Sequence, residues 1–132
     1  VSGMVREYRP PGYITEEPLV PHGMAVILNA PATFRFTGAA CPDRHLQAAG
    51  FLGVDVSAAK LEDAGAILAD AVIDFMRRLG IPNGLSAVGY TSDDIPALVQ
   101  GTLPQHRVTK LSPRPVGEEE LTELFEDAMV AW

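Results

Sequence analysis

The stretch LVPHGMAVILNAP, residues 19–31, is the most apolar part of the chain and begins with a Pro-His-Gly triplet. Pro21 has a fixed φ angle and Gly23 is conformationally permissive, so the histidine between them has a constrained backbone and a defined ring direction. Histidine is also the commonest metal ligand among the side chains. His22 is therefore a candidate ligand; the alternative is a histidine that bonds a backbone carbonyl next to a helix.

The composition excludes several classes of partner. The chain has 132 residues, which suits one domain with its own core. Its 17 acidic and 10 basic residues give a net charge of −7, which repels nucleic acid and anionic membranes. No apolar run is long enough to cross a bilayer, and the lone Cys41 cannot form an internal disulfide. We expect no nucleic-acid or membrane partner, and a cytoplasmic location.

The first third of the chain predicts an extended segment followed by two helices. Residues 1–21 are rich in proline and glycine, so we expect an extended segment that belongs to the same domain as residues 22–132. Residues 24–36 have helical spacing with apolar residues on almost every face, which predicts a helix buried nearly all round and kinked at Pro31. A short helix over 42–51 should start at Pro42 and end at Gly53.

The remainder predicts three more helices. Apolar residues recur at helical spacing from Ala64 to Leu79, which predicts one helix. A second helix follows Thr91, with Asp93 as its best cap. The negative charges of Glu118 to Glu120 favour the start of a last helix. The loop over 104–115 is polar and proline-rich. Since no segment alternates with period two, the prediction is an all-α bundle of about five helices.

Few other side chains are candidates for chemistry. Arg107, Lys110 and Arg114 form a basic cluster on a proline-stiffened loop, where a solvated loop and a carboxylate-binding site are the two interpretations. We expect His45 at the surface or core edge and His106 in a surface loop. The spacing of the histidines gives no complete zinc site, and the sequence has no phosphate-binding glycine motif.

Several motifs resemble the iron-containing alcohol dehydrogenase family. The Pro-His-Gly stretch with its later Pro31 is similar to the second-half metal motif of that family, and DIPAL at 94–98 and LGIP at 79–82 are similar to further elements of its C-terminal part. Other stretches resemble the hydroxyacid-oxoacid transhydrogenase branch: residues 34–36, PDRHL at 42–46, AVGY at 87–90, GTLPQ at 101–105 and RVTKL at 107–111.

The resemblance implies a fold and a role for this chain. The fold would be the C-terminal helical domain of dehydroquinate synthase-like and iron-containing alcohol dehydrogenases, here in part, with the N-terminal nucleotide-binding domain absent. In that family one divalent metal lies between the two halves, and His22 matches the last of its three histidine ligands. The expected cofactors are Fe(II), or Zn in its place, and NAD(P), with the metal as Lewis acid and the nicotinamide as hydride carrier.

The resemblance also implies a substrate class. The branch oxidises 4-hydroxybutyrate and reduces 2-oxoglutarate, so Arg107, Lys110 and Arg114 would bind a carboxylate of a small hydroxyacid or oxoacid. No residue of this chain is assigned a catalytic or cofactor-binding role. We expect the isolated chain to be inactive and to bind metal and NAD(P) weakly. The alternative is a stand-alone helical module without catalytic activity that self-associates as a homo-oligomer through apolar surface.

Overall fold

The computed structural model describes residues 1–132 apart from the side chain of Val108, and its regular elements are helices. Within this described part there is no β-strand, so the predicted all-α class is confirmed. Five helices have eight residues or more and one is a single turn. Their bounds are α1 His22–Gly38, α2 Pro42–Phe51, α3 Ala64–Arg78, α4 Ile95–Thr102, α5 His106–Thr109 and α6 Glu118–Ala128.

The helix α1 lies centrally and contacts both α3 and α6, while α2 packs on α3 and α4 packs on α6. Apolar side chains from α1, α3, α4 and α6 meet those of Val20 and of residues 85–90 in one core, which excludes water and supplies the main driving force for folding. The buried members of this core are Val20, Leu28, Ala32, Val72, Met76, Leu85, Val88, Tyr90, Ile95, Leu98, Val99, Leu121, Phe125 and Ala128.

Two predictions about α1 are wrong. The helix begins at His22 itself, because Pro21 occupies its N-cap position with extended backbone. It is also not buried on all sides: His22, Val26 and Thr33 are exposed, and Val26 is 56% accessible. The reason is that the other elements of this chain cover only one side of α1. The helix continues through Pro31, which is buried.

Glycines end α2 and α3 as the sequence predicts. After α2, Gly53 has a φ of 94° and the Val54 N–H donates to the carbonyl of Ala49 at 3.1 Å. After α3, Gly80 has a φ of 66° and Ile81 donates to Met76 at 2.9 Å. Both are left-handed glycine caps that satisfy terminal carbonyls. The predicted core positions Phe75 and Leu79 are exposed, because Ile73 and Met76 take the inward side of the last turns.

The predicted cap of α4 is also wrong. A 3-10 turn over Ser92–Asp94 precedes α4, and the N-cap of that turn is Thr91 rather than Asp93. The carboxylate of Asp94 accepts the backbone N–H of Thr91 at 2.9 Å, which closes a capping box. Asp94 lies at the inner side of that turn and is buried, whereas Asp93 is exposed.

The region predicted as a polar loop contains the single-turn helix α5, and the last helix starts at Glu118 as predicted. The N–H of Gly117 donates to Oε2 of Glu120 at 2.8 Å, so one glutamate of the first turn acts as a cap. No helix in the described part of the chain combines the length and the apolar character that a bilayer span requires.

Candidate functional site

His22 is the first residue of α1, and its backbone position is fixed from both sides. Pro21 has a φ of −54°, and its carbonyl accepts the N–H of Ala25 at 2.9 Å, which is the first bond of the helix. The imidazole is exposed, and none of the described residues forms a hydrogen bond with it. The backbone at His22 is therefore fixed by the start of the helix, and both ring nitrogens are available to an outside group.

An open cleft of about 460 Å³ lies beside this ring. One wall is the exposed side of α1, where His22, Val26 and Asn29 follow one another at helical spacing. The amide of Asn29 donates to the carbonyl of Ala25 at 2.8 Å, which fixes its orientation along the helix. The remaining wall comes from Val1, Ser2, Thr102, Leu121, Leu124 and Phe125.

The donor set of the cleft fits part of a metal centre. A neutral imidazole is a good ligand for iron and zinc. However, the described residues contain no group of three or more His, Cys, Asp or Glu side chains placed to hold one ion. His22 can therefore serve as one ligand, and the described residues do not complete a metal site around it.

His45 has a purely structural environment in this fold. It is buried, its Nε2 lies 2.9 Å from Oγ1 of Thr37, and its Nδ1 lies 3.0 Å from the carbonyl oxygen of Cys41. Its ring also meets Phe34 edge to face at a centroid distance of 6.0 Å. Both nitrogens are engaged, so this imidazole links the end of α1 to α2. The sequence predicted His45 at the surface or core edge, but the side chain is buried, with 6% of its surface exposed.

The basic cluster divides into two environments. Lys110 and Arg114 line a second open cleft of about 540 Å³ together with His106, and Arg107 is exposed on α5 outside that lining. The guanidinium of Arg114 lies 4.1 Å from the ring centroid of Phe36 and donates to its carbonyl at 2.7 Å. Arg114 thus caps the C-terminal end of α1, where carbonyls lack helical partners. Neither Arg114 nor Lys110 forms an ion pair with the described residues, but only Arg114 is restrained by the contacts with Phe36.

Arg6, Tyr90 and Asp94 do not line the His22 cleft, but they make contacts that hold the segment containing Val1, which does. The sequence did not single them out as site residues. Arg6 pairs with the buried carboxylate of Asp94, and the hydroxyl of Tyr90 donates to the carbonyl of Val1. The backbone N–H of Thr91 is the main cause of a lowered pKa for Asp94, and burial raises the pKa of Tyr90. The DIPAL motif contains Asp94, but nothing in a proline-rich segment identifies Arg6 as its partner.

Together, the fold and the site define a helical domain that presents one imidazole to an open cleft. The sequence model described as "Fe-containing alcohol dehydrogenase family, C-terminal" matches residues 15–129, and the chain belongs to this family of oxidoreductases as its C-terminal domain. This confirms the resemblance read from residues 19–31 and 94–98.

Individual relatives agree with that placement. The chain is 57% identical over 129 residues to the mitochondrial hydroxyacid-oxoacid transhydrogenase of Xenopus laevis, covering 98% of this chain and 28% of the relative. It is 51% identical to the Homo sapiens protein of the same name, with the same coverage of both chains. The crystal structure of a 1,3-propanediol oxidoreductase superposes with a TM-score of 0.75 at 25% identity, covering 83% of this chain and 28% of that chain.

Two facts follow from these relatives. The chain spans about 28% of their length, so each of them has a large portion that this chain does not represent. Their names place them in mitochondria, including a Dictyostelium discoideum relative that is 47% identical over 133 residues. The expectation of a cytoplasmic location, drawn from a single cysteine and an acidic composition, is therefore wrong; neither feature distinguishes the cytoplasm from a mitochondrial compartment.

Proposed function

We propose that this chain is the C-terminal helical part of a metal-dependent, NAD(P)-linked alcohol or hydroxyacid dehydrogenase, with hydroxyacid-oxoacid transhydrogenase as the particular activity. The observation that supports this most is the exposed ring of His22, which directly follows Pro21 at the start of α1 and lines a cleft of about 460 Å³. The oxidoreductase relatives and the transhydrogenase names at 57% and 51% identity point in the same direction.

In this proposal His22 donates one ring nitrogen to a divalent metal, Fe(II) or Zn(II) in its place. The bound ion would supply Lewis-acid polarisation of the substrate oxygen, and NAD(P) would carry the hydride. Within this chain, Pro21 fixes the backbone from which the ring projects, and the apolar side chains of Leu121 and Phe125 limit water on one side of the cleft. The neutral form of the imidazole is the one that binds metal.

The substrate in this proposal is a small hydroxyacid or oxoacid, such as 4-hydroxybutyrate. Lys110 and Arg107 supply exposed positive charge near the cleft that follows α4, and a carboxylate is the matching anion. Thr102 lines the His22 cleft, and its neighbour Leu103 lines the second cleft, which contains Lys110, so the two clefts adjoin along the chain. Arg114 takes part less directly, since its guanidinium already binds Phe36.

The nucleotide-binding portion is the partner that this proposal requires. The exposed strip of α1, formed by His22, Val26, Asn29 and Thr33, is the surface that would face it. Residues 1–21 would belong to the same helical domain, because Val20 is fully buried and Tyr8 and Val5 pack against the core.

The test uses the longest product of the gene that contains these residues, here called the full-length protein. Metal content and NAD-linked oxidation of 4-hydroxybutyrate are measured for the parent and for H22Q. Loss of one of a few ligands should lower metal content at least about tenfold, as lost metal-site contacts commonly do. H106Q, which replaces another exposed histidine, should keep the metal content of the parent.

Retention of metal by H22Q would contradict the assignment of this ligand. A full-length protein that holds no divalent metal and oxidises no hydroxyacid would instead support the alternative, a helical module that associates through apolar surface.

A further inference from the structure

The N-terminal segment forms part of the His22 cleft. Val1 and Ser2 line it opposite the exposed side of α1, although they lie far from α1 along the chain. Residues 1–6 lie outside the helices and have no hydrogen-bond ladder to fix them against the core, so their position depends on individual contacts. Two such contacts connect residues 1–6 to the region just before α4.

The first contact joins Arg6 to Asp94. Oδ1 of Asp94 accepts from the guanidinium of Arg6, while Oδ2 accepts the backbone N–H and hydroxyl of Thr91 at 2.9 and 3.3 Å. The side chain of Asp94 is 6% exposed and that of Arg6 is 63% exposed. Each carboxylate oxygen therefore has its own partner, and an arginine at the surface neutralises a charge that is almost buried.

The second contact joins Tyr90 to Val1. The phenol of Tyr90, which is 4% exposed, donates to the carbonyl of Val1, and that carbonyl also accepts the N–H of Met4 at 3.1 Å. Tyr90 belongs to the core cluster, so its hydroxyl has little freedom to move. The first residues are thus closed into a turn and tied to a fixed side chain.

We propose that Arg6 is a positioning residue for the substrate cleft, because its pairing with Asp94 and the Tyr90–Val1 bond together fix residues 1–6 as a wall of the cleft that contains His22. This inference rests on the proposed function, since it assigns a substrate role to the wall. Arg6 does not touch the cleft itself, and it acts through the placement of Val1 and Ser2.

The test compares R6Q, R6K and R9Q in the full-length protein. Arg9 lies on the same segment, but its guanidinium bonds only within the segment, to the carbonyl of Glu16 at 2.7 Å, which makes R9Q a matched control. The measurements are KM and kcat for 4-hydroxybutyrate, hydrogen exchange of peptides covering residues 1–8, and metal content.

We expect R6Q to raise KM about five- to tenfold with kcat changed less than about twofold, because loosening of a cleft wall weakens substrate binding more than it changes the reacting groups. Hydrogen exchange of residues 1–8 should become at least about tenfold faster, and metal content should stay at the parent level. R6K keeps the positive charge and should recover most of the parent KM, while R9Q should match the parent throughout.

Two results would overturn the inference. Faster exchange in R6Q with an unchanged KM would show that the segment is released without consequence for substrate, and unchanged exchange would show that the pair does not fix the segment. Failure of the proposed function is a separate result, since it would appear as full metal content in H22Q whatever R6Q does.

Discussion

Lys110 and Arg114 line the same cleft, but their side chains are restrained differently. The guanidinium of Arg114 stacks on Phe36 and bonds its carbonyl, whereas the ammonium of Lys110 forms no ion pair among the described residues. A restrained cation that caps a helix contributes mainly to stability. An unrestrained cation at the rim of a cleft is able to bind an anion that enters the cleft. The two residues should therefore affect different measurements when substituted.

We expect K110A and R107A to raise KM for a hydroxyacid in the full-length protein, with the unfolding temperature unchanged. R114A should lower the free energy of unfolding by about 1 kcal/mol, since it removes an exposed cation–π contact and a helix-end hydrogen bond. The control is R44A, because Arg44 is exposed on α2 and bonds only Gln47 at 3.2 Å. Unchanged KM in both K110A and R107A would remove these residues from substrate binding.

The sequence offered His22 as a candidate from local signals, and the structure places Pro21 directly before it as the N-cap of α1. The environments of the other candidates could not be predicted in this way. The burial of His45 depends on Thr37 and Phe34 of another helix, and the restraint of Arg114 depends on Phe36. Such contacts join residues of different elements, and one sequence carries no periodic signal for them.

At the scale of helices, α1 and α3 cross at two glycines in direct backbone contact. A Cβ atom added to Gly38 would lie 2.4 Å from Cα of Gly65, and one added to Gly65 would lie 2.8 Å from the carbonyl oxygen of Phe34. Both distances are shorter than any ordinary carbon contact, and the neighbouring atoms are backbone. At these two positions the helix crossing therefore has no room for a side chain larger than the hydrogen atom of glycine.

We expect G38A and G65A each to lower the free energy of unfolding by about 3 kcal/mol, the upper part of the range for overpacking, because two helices must separate. Chemical denaturation of the 132-residue chain measures this. G101A is the matched control: Gly101 lies in α4 with nothing within 4 Å of an added Cβ, so alanine should not destabilise. Equal effects of all three substitutions would show that the crossing has no special steric requirement.

Helix positions were largely predictable from the sequence, and the errors have physical causes. Periodicity and glycine caps located α2, α3 and α6 closely. The cap of α4 was misassigned because a 3-10 turn precedes it, and several polar residues in a row offered equivalent caps. The contact of Gly38 with Gly65 could not be predicted, since it requires knowledge of how the helices cross.

At the scale of the whole molecule, the exposed strip of α1 is the feature that this chain leaves without a covering element. Apolar periodicity predicted α1 as buried nearly all round, yet Val26 is 56% exposed. This difference is consistent with a surface that another part of a longer protein covers, and the chain spans only 28% of its relatives.

We expect V26D to lower the unfolding free energy of the full-length protein by about 3 kcal/mol or more, because an unpaired carboxylate would be buried at the interface. The same substitution should leave the 132-residue chain unchanged within about 0.5 kcal/mol, as for other surface positions. V130D is the control, since Val130 is 59% exposed and lies outside the His22 cleft. Equal loss of stability in both proteins would argue against an interface at α1.

The central claim is that the ring of His22 binds the metal, and its most direct test is magnetic resonance of the full-length protein carrying isotope-labelled histidine. Spectra of the Co(II)-loaded and Zn(II)-loaded forms are compared, with H22Q and H106Q used for assignment. The account predicts that the His22 ring signals shift or broaden strongly with Co(II), while those of His106 are the same in both forms. Stoichiometric binding of Co(II) with unchanged His22 signals would contradict it.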